Sequence, residues 1–225
     1  MSDTKNRAGA CRRSRRKRAL DLLGASAAFV ATAPVSAGAA AAVWATMGRP
    51  IFFRQKRVGL NEEMFEVLKF RTMAQPKAGS SWHGSDGQRI TPVGRFLRKS
   101  SIDELPQLLN VLKGDMSLVG PRPLLEAYLP VYTERQQQRH DVRPGITGWA
   151  QVKGRNLLTL GQRRDLDAWY VENWSFSLDM RILGKTVLQV VRGSGAKPVG
   201  KMSDVDDQGF EAALLAFQQR QREAT

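Results

Sequence analysis

LLGASAAFVATAPVSAGAAAAVWATM, residues 22–47, is a run without a single charged side chain. It exceeds the roughly 20 apolar residues a helix needs to cross bilayer hydrocarbon. Pro34 lies near its middle, where a missing backbone donor and a clash with the preceding turn predict a break or sharp kink. Basic residues flank both ends: the arm before Ala19, and Arg49, Arg54, Lys56 and Arg57 after Met47. The tendency of basic flanks to stay cytoplasmic then predicts a re-entrant helix over 19–48 that enters, bends at Pro34 and returns. Two alternatives share these features. A secretory signal peptide also has a basic start, an apolar stretch and small residues such as Ala37-Gly38-Ala39. A straight span with the body outside is opposed by the basic residues after Met47. Asp21 is read either as a partner of Lys17 or Arg18 or as a helix-start residue.

Outward from that run, charge is unevenly distributed. The chain of 225 residues carries a net +14, and residues 1–18 hold eight basic side chains against Asp3 alone. Half of the excess is therefore a short arm beside an apolar segment, which suits an anionic membrane surface better than nucleic acid. The arm is expected to be unfolded, with Cys11 inside it. One cysteine permits no intramolecular disulfide and fits a reducing compartment. With only His83 and His140 besides, a structural zinc site is not expected, which leaves carboxylates and a hard cation such as Mg²⁺.

Pro50 to Met73 reads as a hairpin turning at Gly59-Leu60-Asn61, its basic residues Arg54, Lys56, Arg57, Lys69 and Arg71 gathered in one region. Residues 74–89 read as a polar loop. Ile102 to Leu112 and Leu125 to Arg139 read as helices, and Leu178 to Val191 as an amphipathic helix suited to core packing or, more sharply, to membrane contact. A short helix is expected within Phe210 to Arg222.

Ser101-Ile102-Asp103-Glu104 is the quartet that carries chemistry. Serine with glutamate three residues later is also a capping box, in which both side chains only satisfy helix-start amides. Arg89, Arg95, Arg98 and Lys99 precede the pair and make a phosphate site the rival reading. Cations and a helix start would keep Asp103 ionised, as a carboxylate nucleophile must be. Adjacent positions diverge on a helix, so the two carboxylates would meet one metal ion or substrate from different angles. Arg122 stands between Pro121 and Pro123, while Arg143 and Arg155 sit in Gly- and Pro-rich turns. The guanidinium fork suits phosphate oxygens, and three arginines displayed from turns suggest convergence on a diphosphate.

Four runs together resemble a known family: Lys69 to Met73 (KFRTM), Ser101 to Leu108 (SIDELPQL), Asn110 to Pro123 (NVLKGDMSLVGPRP) and Arg143 to Val152 (RPGITGWAQV). They are similar to the bacterial sugar transferases, the monotopic phosphoglycosyl transferases, over roughly residues 15 to 195. The resemblance implies a re-entrant membrane helix, a cytosolic face at the bacterial inner membrane, Mg²⁺, a UDP-sugar donor and undecaprenyl (polyprenyl) phosphate as acceptor. It implies Asp103 as nucleophile, with Glu104 as its partner in metal or proton handling. Arg98, Arg122, Arg143 and Arg155 match basic motif positions, and Asp167 and Tyr170 match a final Asp-x-x-Tyr. Ala33 stands where many members have serine before the proline, and a tryptophan frequent in relatives is missing near Leu160.

The expected architecture is a mixed, helix-rich α/β fold with a short sheet: basic arm 1–18, re-entrant helix 19–48, catalytic domain 49–195, tail 196–225. The expected reaction transfers a sugar 1-phosphate to polyprenyl phosphate with release of UMP, the first membrane step of a surface glycan such as an exopolysaccharide. Two rivals remain. A glycosyltransferase moving the sugar alone would use Asp165-x-Asp167 or Asp204-x-Asp206; a basic, membrane-anchored binding module would need no chemistry at all.

Overall fold

The computed structural model describes residues 8–11, 14–75, 89–154, 158–192 and, in the C-terminal segment, 212, 213, 215–217 and 219. Seven helices and four short strands are named: α1 (Arg15–Met47), β1 (Phe52–Val58), β2 (Met64–Phe70), α2 (Pro92–Lys99), α3 (Gln107–Lys113), β3 (Ser117–Val119), α4 (Glu134–Gln137), β4 (Gly145–Thr147), α5 (Trp149–Lys153), α6 (Leu160–Glu172) and α7 (Phe176–Val191). The fold is the helix-rich α/β class with small sheets. The segment around residues 76–88, read as a polar loop, lies outside the described residues, as does most of the expected C-terminal helix; those of its residues that are described are helical.

α1 starts where Ser14 accepts a hydrogen bond from the Lys17 amide at 3.2 Å and stops at Gly48, whose φ of +69° ends the helix. It is long and apolar enough to cross a membrane by length and composition. Helical geometry continues through Pro34, so the expected break is absent. The reason lies in packing: Lys17, Asp21, Ala25, Ala39 and Val43 form a buried stripe on both sides of the proline, and that contact offsets the roughly 3 kcal/mol a helical proline costs. Leu23, Val30 and Trp44 point the other way and are exposed.

The described part of the basic arm, residues 8–11 and 14–18, is not the free tail expected. Residues 8–11 are helical and Cys11 is buried, its thiol pushed up to about 12 by burial. Lys17 donates to Asp179 Oδ2 at 2.7 Å and to the Val119 carbonyl at 2.9 Å, and Arg18 donates to the carbonyls of Val111 and Leu112. Asp21 pairs with neither basic neighbour; it accepts from the Ser117 hydroxyl and the Leu118 amide, both at 2.9 Å. At the other end of α1, Arg71 donates to the carbonyls of Met47 and Gly48, the latter at 2.8 Å, and to that of Arg49. Both ends of the helix are thus held by cations from the body or reaching into it.

The hairpin forms as read, with Arg54 opposite Leu68 and Arg57 opposite Phe65, and turns through Asn61 and Glu62 at positive φ. Strand alternation puts Arg57 and Lys69 on one side and Arg54 and Lys56 on the other, yet Arg54, Arg57, Lys69 and Arg71 all border one groove, as read, and only Lys56 is left out of its lining. The single helix expected over 125–139 is instead a 3-10 segment (Glu126–Val131) containing Pro130, then α4, which Thr133 caps anew. β3 and β4 pair in parallel and bring two glycine turns into backbone contact. A Cβ on Gly145 would lie 2.1 Å from the Gly120 nitrogen, so only glycine fits.

Candidate active site

Asp103 and Glu104 occupy a 3-10 turn (Ile102–Glu104) between α2 and α3. Ser101 adopts a left-handed conformation (φ +58°) and its hydroxyl caps nothing; regular helix begins only at Gln107. The capping-box reading therefore fails, and so does the picture of the dyad on a helix start. The turn instead presents both carboxyl groups to a groove of about 2000 Å³.

The two carboxylates differ sharply. Glu104 Oε1 accepts from Lys69 Nζ at 2.7 Å and from Arg122 Nη2 at 2.6 Å. Burial works to raise this carboxyl, but Arg122 and Lys69 together hold it far below the usual carboxylate range. Asp103, also buried, makes no hydrogen bond or ion pair with any described residue. Burial first, then the neighbouring Glu104 charge, push it up to about 6 against Lys69, Arg98 and Arg122. The surrounding cations do lower the Asp103 carboxyl, as expected, but burial outweighs them: the dyad is one fixed anion beside one carboxyl at about 6, which is ionised above pH 7.

Arg98 lines the groove and donates to the Thr72 hydroxyl at 2.8 Å. Arg57, Lys69, Arg122, Arg163 and Arg164 line it too, and burial, then Arg122, bring Arg57 down to about 10. This excess of cations around a carboxylate pair suits a polyanion such as a diphosphate. Lys69 was not singled out as a site residue; strand alternation, which puts it on the same side of the hairpin as Arg57, was the available signal.

The other expected site residues separate. Arg143 turns away from the groove and donates through Nε to the Gly114 carbonyl at 2.9 Å. Arg155 lies outside the described residues. Asp167 borders the groove, yet its Oδ2 is tied to Arg139 at 2.9 Å in a buried pair, and Arg139 also donates to the carbonyl of Arg122. Tyr170 is 1% exposed and remote from the groove lining; its hydroxyl donates to Asp179 Oδ1 at 2.7 Å in the cluster that receives Lys17. The Asp-x-x-Tyr pair thus braces the site from behind: Asp167 through Arg139 behind Arg122, Tyr170 behind the root of α1. Asp165 pairs outward with Gln136, so Asp165 and Asp167 do not form a common metal site; Asp204 and Asp206 lie outside the described residues. Among the described residues no group of three or more His, Cys, Asp or Glu side chains is placed to hold a metal ion.

Residues 12–193 match the family of bacterial sugar transferases. The chain belongs to that family. Among its relatives, the sugar transferase EpsL of Bacillus subtilis is 51% identical over 179 residues, covering 80% of this chain and 89% of that one. The UDP-glucose:undecaprenyl-phosphate glucose-1-phosphate transferase of Caulobacter vibrioides is 43% identical over 184 residues, covering 76% and 68%. The exopolysaccharide production protein ExoY of Rhizobium meliloti is 38% identical over 197 residues, covering 80% and 87%. The transferase is an enzyme that moves a sugar phosphate, and Asp103 lies in the matched region.

Proposed function

We propose that this transferase moves a sugar 1-phosphate from a UDP-sugar to undecaprenyl or another polyprenyl phosphate, at the cytoplasmic face of the bacterial inner membrane, through a covalent intermediate on Asp103. The observation that carries this reading is the asymmetry of the dyad: Glu104 is immobilised by Lys69 and Arg122, while Asp103 is left unpartnered in a cation-lined groove. The same groove is bordered by Thr32 and Val35 from the middle of the apolar α1, where a membrane-borne acceptor would arrive. The names of the Caulobacter and Rhizobium relatives support the donor, the acceptor and an exopolysaccharide setting.

In the first step an Asp103 oxygen attacks the phosphorus that bears the sugar; the bond to the bridging oxygen breaks, and UMP leaves with its electron pair. In the second, a phosphate oxygen of the lipid attacks that phosphorus, the bond to Asp103 breaks, and the free carboxylate returns with a lipid diphosphate-sugar as product. Arg122, Arg98 and Lys69 face the charge that develops on the diphosphate. The donor set fits Mg²⁺ in the mode where one or two carboxylates and substrate phosphates share the ion: Asp103, and Glu104 through Oε2, which accepts no bond from a described residue, would hold it. Bound there, Mg²⁺ supplies neutralisation of diphosphate charge.

The test is incubation of the protein with donor labelled in the sugar, without lipid. Labelled protein and UMP should appear together; UDP as the released nucleotide would instead support transfer of the sugar alone. Because the working form of Asp103 is the carboxylate and its carboxyl is raised to about 6 in the metal-free protein, this half-reaction, measured at limiting Mg²⁺ where protons compete with the ion, should fade as pH falls through about 6 and be independent of that group above pH 7. A flat rate from pH 8 to 5 would remove Asp103 from the role.

Arg122→Lys keeps the charge but loses the fork that reaches Glu104 and phosphate together. Its kcat/KM should fall roughly 10- to 100-fold, as loss of a charged hydrogen bond of about 1.5–3 kcal/mol implies. Kinetics like those of the unmodified protein would reduce Arg122 to a turn residue.

A further inference from the structure

Arg57 is a groove cation to which the mechanism above gives no task. It stands opposite Phe65 on the side of the hairpin that also carries Lys69, whose partner on β1 is Phe53. Four strand positions from Phe53 to Arg57 make roughly 13 Å, so Lys69 and Arg57 mark the two ends of one hairpin face. Arg122 links those ends. It joins Lys69 on Glu104 Oε1, and the chain just after it is tied to the end of β1, where the Val58 amide donates to the Leu124 carbonyl at 3.0 Å. All three cations border the groove.

They differ in what balances them. Lys69 and Arg122 share the Glu104 carboxylate, whereas Arg57 forms no ion pair with any described residue and donates to the neutral Gln55 Oε1 at 2.5 Å. Burial, then the charge of Arg122, lower Arg57 to about 10, which leaves it charged at neutral pH. A half-buried guanidinium beside a second one, with no carboxylate of its own, is a cost to the fold that an arriving anion would remove. Its place along the face says which anion. Lys69, Arg98 and Arg122 are the cations that lower Asp103, and Arg57 lies beyond Arg122 at the other end. In-line displacement sets the attacking and leaving oxygens on opposite sides of the phosphorus. With Asp103 attacking from the Lys69 end, the leaving oxygen points toward Arg57.

We propose that Arg57 is a catalytic residue of the first half-reaction alone, its guanidinium binding the UDP phosphate that departs as UMP and meeting the charge that this phosphate gains. This rests on the reading of Asp103 as the nucleophile. When the bond between the sugar-bearing phosphorus and the bridging oxygen breaks, the electron pair stays on that oxygen; the UMP phosphate gains one negative charge and no proton is needed. Arg57, oriented by Gln55, donates to that phosphate. Once UMP has gone, Arg57 holds nothing, and attack by the lipid phosphate is indifferent to it.

The experiment separates the two half-reactions in the full chain in detergent, comparing the parent with Arg57→Gln and Arg57→Lys. With donor labelled in the sugar and no lipid, Arg57→Gln should acquire label roughly 10-fold more slowly or worse, and its affinity for UMP, measured by calorimetry, should fall by a similar factor, as loss of a charged hydrogen bond implies. Arg57→Lys should recover part of both. Discharge of the isolated, labelled proteins by undecaprenyl phosphate should run at one rate in all three, and without nucleotide Arg57→Gln should melt no lower than the parent. If Arg57→Gln takes up label and binds UMP as the parent does, the proposal is overturned and the Asp103 reading stands. Equal slowing of labelling and discharge would make Arg57 a structural residue and overturns the proposal in the same way. A parent protein that releases UMP without acquiring label sinks the Asp103 reading itself, and this inference with it.

Discussion

Replacing Asp103 by asparagine is expected to abolish turnover and, at neutral pH, to raise the melting temperature of the protein. The catalytic half follows from the loss of the oxygen proposed to attack: asparagine is close in size, so the cation-lined groove remains, but rates should drop on the order of 10⁴-fold or more. The stability half follows from the raised carboxyl. A folded-state value of about 6 against 3.8 for an ordinary aspartate means that the fold disfavours the charged form. At about 1.36 kcal/mol per tenfold change in proton affinity, the penalty is roughly 3 kcal/mol. It is fully present above pH 6 and disappears as pH falls toward 4, where the protonated side chain is the folded state's preferred form. Asparagine never carries the charge. Thermal melts of both proteins should therefore diverge at pH 7.5, the variant melting higher, and converge near pH 4. A variant that is inactive but melts lower at pH 7.5 would mean that Asp103 holds the turn together, and its lost activity would then say nothing about a nucleophile.

Lys17→Met should be the most damaging single change outside the groove. The ammonium is 2.7 Å from Asp179, and the two side chains are 7% and 0% exposed. Removing one partner of such a pair leaves a charge without solvent or counter-ion, which costs roughly 3–5 kcal/mol. The remaining donors to Asp179, from Tyr170 and Trp174, are neutral and cannot replace the lost charge. The double change Lys17→Met with Asp179→Leu removes the orphaned charge and should recover much of the loss, since an apolar pair is often as stable as a buried ion pair. Denaturation of the three variants in one detergent measures this directly. A double variant no better than Lys17→Met alone would show that burial of the charge is not what the pair prevents.

What could be read from the residues depended on how local the governing interaction is. The apolar run, the hairpin and α7 follow patterns repeated every few positions, and each appears within a few residues of its expected span. Asp103 and Glu104 were legible because their residue types stand together in the chain with Arg98 close by, whereas Lys69 and Arg122, which hold Glu104, lie 35 and 18 positions away. Tyr170 and Arg143 were not, because their directions are set by partners far away: Tyr170 turns to Asp179 and Val119, Arg143 to Gly114. The arm looked free because the pairing of Lys17 with Asp179 spans 162 positions. Pro34 does not end the helix for the same reason, since the tertiary contacts on either side of it are invisible in the run itself. Ser101 shows the converse: a local motif matched a helix cap, and the backbone chose the left-handed conformation instead.

The fastening of α1 at both ends, by Lys17 and Arg18 at its root and by Arg71 at its tip, sets the altitude of Asp103 above the bilayer. A body hung on a single loose anchor samples a range of heights and tilts, and its nucleophile meets lipid phosphates only part of the time. Here the clamp leaves little rotation about the anchor, so on the proposed mechanism the Asp103 carboxylate becomes a gauge of depth. The proposed lipid acceptor would then be chosen by where its phosphate rides in the leaflet, as much as by what its headgroup is.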